Sequence, residues 1–204
     1  MTRYLYFARR RPSPWERFYR TAIAVGGVPV WLLIDAWSRA AFNRRFFSLY
    51  AGMPESWLRG QTAGLLQQET RPKIYRNSRE LLDRDRQEGY ALVLVTGGLD
   101  FAIERISAEL GFDYLLANKM LFSDGVATGR LQEPLLAEQG KTDAIRAFCS
   151  EHDVDPHSLK AYSDSYSDVA MLEMAAHPTA VNPDRKLRGV AAARGWAIAN
   201  TKGE

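Results

Sequence analysis

The most constraining stretch of this chain is a short apolar run followed by two carboxylates. Residues 159–162 have the length and character of a buried strand, and residues 169–176 have the pattern of a helix. Asp164 and Asp168 lie between these two segments. Ligands of an open α/β sheet bind just outside the carboxyl ends of its strands. The pattern therefore predicts that both carboxylates lie at a binding site.

Asp164 and Asp168 are candidate magnesium ligands. Mg²⁺ usually takes one or two carboxylates and completes its shell with water and substrate phosphate. Asp168 also falls on the first turn of the predicted helix, where the helix dipole favours a negative charge. An Asp or Ser that only caps an ordinary helix leaves the same pattern. On this stretch alone, both interpretations stay open.

A second short apolar run, residues 90–95, ends in Thr96-Gly97-Gly98. The hydroxyl of Thr96 could donate a hydrogen bond to a phosphate oxygen. The backbone amide of Gly97 could approach such an oxygen closely, because glycine has no side chain in the way. A plain turn between a strand and a helix is the commoner meaning of such glycines.

Lys141 follows Gly140 at the start of another helical pattern. Its ammonium could bind phosphate as a point charge while pairing with Asp168. Any single lysine of this kind is more often an exposed helix residue. The joint occurrence of the motifs, in order and each at a predicted strand end or helix start, favours a phosphate site.

The order of these motifs resembles motifs II, III and IV of the haloacid dehalogenase (HAD) superfamily. The nearest resemblance is to its phosphoserine-phosphatase-like branch, subfamily IB, and it covers about residues 72–200. Ser163 stands where the family more often has glycine. The resemblance implies an α/β fold, with a HAD-like (Rossmannoid) parallel sheet, helices on both faces and a helical cap.

The resemblance also implies an activity and a role for each motif. The activity would be Mg²⁺-dependent hydrolysis of a phosphomonoester in a small phosphorylated metabolite, because a cap that closes over the site limits substrate size. Thr96, Gly97 and Lys141 would bind phosphate. Lys141 and Asp168 would be catalytic, and Asp164 would bind the metal.

The family's nucleophile motif is absent from this sequence. HAD phosphatases attack with the first Asp of an Asp-x-Asp-x-Thr motif at the end of the first strand and form an aspartyl phosphate. The nearest match here is residues 32–38, in which Trp37 stands in place of the second Asp. We do not expect Asp35 to be a nucleophile.

Two explanations are compatible with this absence. The chain is either an N-terminally truncated phosphatase or a catalytically dead HAD-like binding or scaffold protein. We favour truncation because Thr96, Lys141, Asp164 and Asp168 are all present, and a protein without catalysis has no need of the whole set. We therefore expect the 204 residues to be inactive as they stand, and the first central strand of the sheet to be missing.

Residues 1–70 are expected to form the helical cap. Residues 3–69 have amphipathic helical patterns without the alternation of strands. Residues 22–34 are strongly apolar but too short to span a membrane, and Gly26 and Pro29 interrupt them. We favour a buried or cap-facing helix there. A membrane-associated helical hairpin is the alternative.

Residues 71–204 are expected to form the HAD-like core. Helical patterns alternate with short apolar runs in this region, which predicts a parallel sheet with helices on both faces. Residues 119–131 contain an Asp-Gly pair between two strand-like runs, which predicts a small β-hairpin.

Charge and cysteine content restrict the partners and the compartment. The net charge of +3 is too small to argue for nucleic acid. The run Arg9-Arg10-Arg11 could meet acidic lipid or RNA, although such a run is more often a solvated helix face. Cys149 is the single cysteine, which fits a reducing cytoplasm. Aromatic and arginine-rich sequence follows Met1, whereas a signal peptide would have an apolar segment there, so we expect no signal peptide. We expect a cytoplasmic protein with a small phosphorylated substrate, no nucleic acid and no membrane span; its oligomeric state is not predicted.

Overall fold

The structure, a computed structural model, describes residues 1–201, with the backbone alone for Arg76. Its contacts divide the chain into two compact units, each built from two segments of sequence. The predicted boundary between cap and core near residue 70 remains a prediction. The segments are Met1–Ile74 and Val93–Leu135 in the first unit, and Tyr75–Leu92 and residues 136–201 in the second.

A series of α-helices opens the first unit, in agreement with the helical pattern of residues 3–69. They are α1 Thr2–Ala8, α2 Pro14–Gly26, α3 Val28–Trp37, α4 Arg39–Phe47, α5 Glu55–Gly60 and α6 Thr62–Leu65. Serine side chains cap two of them. The hydroxyl of Ser13 accepts from the amide of Glu16 at the start of α2, and that of Ser38 accepts from the amide of Ala41 in α4.

Aromatic rings form the core of the first unit. Tyr4, Phe7, Tyr50 and Phe101 are each 2% exposed or less. Tyr50 meets Tyr4 edge to face with 5.1 Å between ring centroids, and Phe7 meets Phe101 in the same way at 6.1 Å. Edge-to-face contact is favoured because the positive ring edge meets the negative ring face. The rings thereby join α1 to residues of the later segment of this unit.

The later segment of the first unit carries two pairs of strands. Its elements are β1 Val93–Leu99, α8 Asp100–Glu109, β2 Tyr114–Asn118, β3 Met120–Ser123 and β4 Val126–Leu131. Strands β1 and β2 are parallel, and β3 and β4 are antiparallel. The turn between β3 and β4 has φ angles of 50° at Asp124 and 72° at Gly125. The predicted hairpin with its Asp-Gly turn is confirmed.

The second unit is a parallel sheet with its helices. Its elements are α7 Arg76–Gln87, α9 Gln139–Glu151, β5 Lys160–Ser163, α10 Val169–Met174, β6 His177–Val181, α11 Arg185–Arg194 and β7 Ala197–Ala199. The strand order is β5-β6-β7, and all pairs are parallel. Leu172 of α10, Ala180 of β6 and Leu187 of α11 are fully buried in its core.

Helices alternating with parallel strands confirm the predicted α/β class. Within residues 1–201, the parallel strands form two separate sheets, β1-β2 and β5-β6-β7. Strand β1 and helix α10 differ from the prediction. Strand β1 continues through Thr96-Gly97-Gly98 to Leu99, although the predicted run ends at residue 95. Helix α10 ends at Met174, because Ala175 has extended backbone angles, with φ of −86° and ψ of 146°.

Substitution of Gly129, which lies on β4, tests how the hairpin is packed. Its φ is 75°, and a side-chain carbon there would lie 2.9 Å from the carbonyl oxygen of Ser48. We expect Gly129→Ala to lower the free energy of unfolding by about 2 kcal/mol, because strain and overlap act together. Gly189 in α11 has open space around it, so Gly189→Ala should raise that free energy by about 0.5–1 kcal/mol. Urea unfolding measures both, and equal effects would contradict the described packing.

Candidate functional site

Lys141 and Asp168 form the central ion pair of the second unit. Lys141 lies on the first turn of α9, and Asp168 directly precedes α10. The ammonium nitrogen of Lys141 lies 2.7 Å from Oδ1 and 3.0 Å from Oδ2 of Asp168. Asp168 is buried, with 8% of its surface exposed. A buried carboxylate needs such a partner, because an uncompensated charge in the interior is strongly destabilising.

Ser163, the last residue of β5, completes the surroundings of Asp168. Its hydroxyl donates to Oδ2 of Asp168 at 2.7 Å and accepts from the amide of Ser165 at 3.2 Å. Both carboxylate oxygens of Asp168 are therefore engaged. From the sequence, Ser163 stands out only as a departure from the family's more usual glycine, and this contact is not predicted. A hydroxyl one residue before Asp164 was the signal available.

Asp184 holds the loop between β5 and α10. Its Oδ2 accepts from the amide of Tyr166 at 2.7 Å, and its Oδ1 accepts from the amide of Leu187 at 2.8 Å as the N-cap of α11. Its own amide donates to the carbonyl oxygen of Asp164. Burial opposes ionisation of Asp184, but the amide hydrogens outweigh it and lower the pKa of the carboxyl below its usual value. Asp184 thus fixes the backbone that carries Asp164.

A second buried carboxylate, Asp85, ties α7 to β5. It accepts from the phenol of Tyr162 at 2.6 Å and from the ammonium of Lys160 at 3.0 Å. Burial opposes its ionisation, but these two donors outweigh burial and lower the pKa of Asp85. Burial, together with the Asp85 carboxylate, raises the pKa of Tyr162 to about 12. The strand that ends at Ser163 is held in place from its other end by this network.

Asp164 is the exposed carboxylate of the predicted metal site. Residues 1–201 contain no group of three or more His, Cys, Asp or Glu side chains placed to hold a metal ion. Asp168 is occupied by Lys141 and Ser163, so Asp164 is the available ligand of the motif. Mg²⁺ keeps several waters and often binds through one or two carboxylates plus substrate phosphate. A magnesium ion would therefore have Asp164 as its ligand from this motif and would take the rest of its shell from water and phosphate.

Thr96 and Gly97 lie near the end of β1, in the first unit. The hydroxyl oxygen of Thr96 accepts from the amide of Gly98 at 3.1 Å. The carbonyl of Gly97 accepts from the side-chain amide of Asn118 at 2.9 Å, and Asn118 is 1% exposed. These contacts hold the last residues of β1 in one conformation, so Thr96-Gly97-Gly98 is part of the strand and not a turn that follows it.

Arg3 lies beside Gly98 near the end of β1 and was missed by sequence reasoning. A side-chain carbon on Gly98 would lie 3.4 Å from the hydroxyl oxygen of Thr96 and 3.5 Å from Nη1 of Arg3. Burial lowers the pKa of Arg3 below its usual value. Within residues 1–201, no carboxylate pairs with its guanidinium. Nothing in the local sequence of α1 marks Arg3, because its neighbours in β1 come from a distant part of the chain.

Asp35 lies within α3 and forms an ion pair with Arg39, one helical turn later, at 2.9 Å. It is not at the end of a strand. This placement agrees with the expectation that Asp35 is not a nucleophile.

Comparison with known proteins identifies the relationships of this chain. A model of the haloacid dehalogenase-like hydrolase family matches residues 1–173. The chain is 35% identical to phosphoserine phosphatase SerB1 of Mycobacterium tuberculosis over 126 residues, which are 62% of this chain and 41% of that protein. It therefore spans about two fifths of the length of such curated relatives.

Solved structures share the fold. A Bordetella pertussis protein of unknown function aligns over 96% of this chain and 88% of its own, with a TM-score of 0.81 and 23% identity. A phosphoserine phosphatase solved as a phospho-aspartyl intermediate analogue aligns over 91% of this chain and 85% of its own, with a TM-score of 0.65 and 19% identity. Because the family model covers most of the chain, the chain belongs to the haloacid dehalogenase-like hydrolases.

Proposed function

We propose that this chain carries the phosphate- and magnesium-binding residues of a phosphomonoester hydrolase that acts on a small phosphorylated metabolite in the cytoplasm. The buried pair of Lys141 and Asp168 is the observation that supports it most. A lysine held by a carboxylate next to a strand end is what motifs III and IV of the family imply. The order of the family motifs implies a phosphate-binding role for Thr96 and Gly97 of the first unit and for Lys141 of the second.

The chemistry of phosphoryl transfer suits these side chains. Its transition state spreads negative charge over three equatorial oxygens, so catalysis is mostly positioning and electrostatic stabilisation. Lys141 supplies a full positive charge, and Asp168 keeps its ammonium in place. Thr96 supplies a hydroxyl donor. A magnesium ion at Asp164 would neutralise further charge on the phosphate.

Arg3 adds a second cation to this proposal. Its guanidinium lies beside the end of β1, which carries Thr96, and it has no carboxylate partner within residues 1–201. A partly buried arginine without a counter-ion gains from an anion that it can bind through two parallel hydrogen bonds. We assign Arg3 to the same anion as Thr96.

The nucleophile is the part of the mechanism that the 204 residues do not contain. Covalent catalysis in this family uses the first Asp of Asp-x-Asp-x-Thr. We therefore propose that the chain does not hydrolyse phosphomonoesters by itself. It becomes active when a strand with that motif is joined to it.

A catalytically dead binding protein is the second candidate. The contact of Ser163 with Asp168 favours it, since a hydroxyl at 2.7 Å occupies an oxygen that the family's more usual glycine would leave open. Such a protein would keep an anion site without turnover.

The phosphate site is testable by thermal stability. Inorganic phosphate at about ten times its dissociation constant should stabilise the protein by about 1.4 kcal/mol, which raises the Tm by about 3–5 °C. Lys141→Met combined with Asp168→Asn should remove most of that shift without leaving a buried carboxylate unpaired. Arg3→Met should reduce it as well.

Lys119→Met is the matched control for these variants. Lys119 is exposed and follows β2, so its loss removes one positive charge without touching the proposed site. The full phosphate shift should survive in this variant. A full shift in the Lys141 double variant would instead place the anion elsewhere, with the Arg9–Arg11 run as the next candidate.

Activity separates the phosphatase from the dead binding protein. The 204 residues alone should hydrolyse p-nitrophenyl phosphate no faster than the background. Loss of the catalytic groups of a serine protease leaves roughly 10³–10⁴-fold rate enhancement. An enhancement of that size stays undetected for phosphate monoesters, since their uncatalysed hydrolysis is among the slowest known. Fusion of an apolar strand with Asp-x-Asp-x-Thr should yield Mg²⁺-dependent turnover.

Two variants of the fused protein test whether its turnover depends on the proposed nucleophile and on the proposed metal ligand. Changing the first Asp of the added motif to Asn should abolish turnover, and Asp164→Asn should abolish the Mg²⁺-dependent turnover as well. Strong activity from the 204 residues alone would overturn the proposal. A folded fusion that binds phosphate but never turns over substrate would favour the binding protein.

A further inference from the structure

Helices α2 and α3 expose a large apolar surface. Nine large hydrophobic side chains on these two helices are solvent-exposed, a group we call the α2–α3 apolar surface. Among them, Trp37 is 87% exposed, Leu33 is 74% exposed and Trp15 is 73% exposed. Single exposed apolar side chains are ordinary on a soluble protein, but a contiguous group of this kind marks an interaction site.

The polar face of α2 points inward. Arg20 donates to the carbonyl oxygens of Leu49 and Ala51 at 2.8 and 3.0 Å, and to the carboxylate of Glu16 at 2.7 Å. These contacts satisfy the charged side chains within the protein. The apolar stripe of the same helix, which includes Trp15, therefore faces solvent. A surface helix usually turns its apolar stripe to the core and its polar face to solvent, so α2 has the reverse arrangement.

The surrounding sequence is strongly basic. Residues 1–47 contain nine arginines and two acidic residues, a net charge of +7, while the whole chain has +3. Both acidic residues are already paired, since Glu16 binds Arg11 and Arg20, and Asp35 binds Arg39. The partner of this region must therefore tolerate or supply negative charge.

An apolar surface with a basic surrounding selects among three classes of partner. A second copy of the chain would bring the same positive charge and repel the first. RNA offers negative charge but does not bury aliphatic side chains such as Leu33. An anionic lipid surface offers both a charged headgroup layer and an apolar interior. Tryptophan and tyrosine side chains also favour that interface.

The length of the helices indicates how they would meet a bilayer. No single helix of residues 1–201 is long and apolar enough to cross a membrane. Helices α2 and α3 reach the required length and apolar character only when they are taken together, and they are bent by 49° at their junction. A bent, short pair with basic neighbours suits the plane of the headgroups. We propose that α2 and α3 dock the protein onto an anionic membrane surface, with Trp15, Leu33 and Trp37 inserted among the lipids.

Vesicle sedimentation tests this proposal. The protein should sediment with phosphatidylcholine vesicles that contain about a quarter phosphatidylserine, and bind vesicles of phosphatidylcholine alone about tenfold more weakly. High salt should weaken the binding to the anionic vesicles, because it screens the arginines. Trp15→Ser combined with Leu33→Ser should weaken it about tenfold or more, since two inserted side chains are lost.

Matched variants separate the surface from general charge or stickiness. Arg9→Glu with Arg17→Glu should weaken binding about tenfold, whereas Arg130→Glu, an exposed residue of β4, should have little effect. Leu121→Ser is the control for exposed apolar residues outside α2 and α3. Circular dichroism confirms that each variant is folded.

Three outcomes would overturn the proposal. Folded protein that ignores anionic vesicles excludes a lipid partner. Binding that is unchanged in the Trp15 and Leu33 variant moves the contact to another surface. Self-association in light scattering that the same variant abolishes, without vesicle binding, assigns the surface to a second copy.

Discussion

The ion pair between Lys141 and Asp168 is the constraint on which the second unit depends. A carboxylate that is 8% exposed is tolerated only with its charge compensated, and Lys141 provides the compensation at 2.7 Å. Because Asp168 also accepts from Ser163 at the end of β5, the pair joins α9, β5 and the start of α10. The contacts that compensate the charge of the buried Asp168 also hold the ammonium of Lys141 near a strand end, where anions bind in α/β proteins.

Local patterns were sufficient to predict most of the fold. Short apolar runs and helical periodicities located the strands and helices to within a few residues, and Asp124-Gly125 located the hairpin turn. The pairing of Lys141 with Asp168 followed from the order of motifs. The contacts of Arg3 and Asp85 did not, because their partners are distant in sequence and no periodic pattern encodes such pairs. Ser163 was visible as an unusual residue, but its hydrogen bond depends on the curvature of the loop.

Helix α2 shows a second limit of sequence reasoning. An amphipathic pattern predicts that a helix has an apolar and a polar face, but it does not predict which of them packs against the rest of the protein. Here Arg20 finds carbonyl and carboxylate partners inside the first unit, so the apolar stripe is left outside. The cost of leaving Trp15 and its neighbours in water is about 25 cal/mol for each Å² of apolar surface. A partner that covers them therefore gains considerable free energy.

Phosphate binding by Thr96, Gly97 and Lys141 is the proposal on which the assignment of function rests. The most direct test is a titration of ¹⁵N-labelled protein with inorganic phosphate, followed by amide chemical shifts. We expect saturable shifts at Gly97, Gly98 and Lys141, and none along the Arg9–Arg11 run. Shifts confined to that arginine run, with the end of β1 and the start of α9 unchanged, would rule out phosphate binding by Thr96, Gly97 and Lys141.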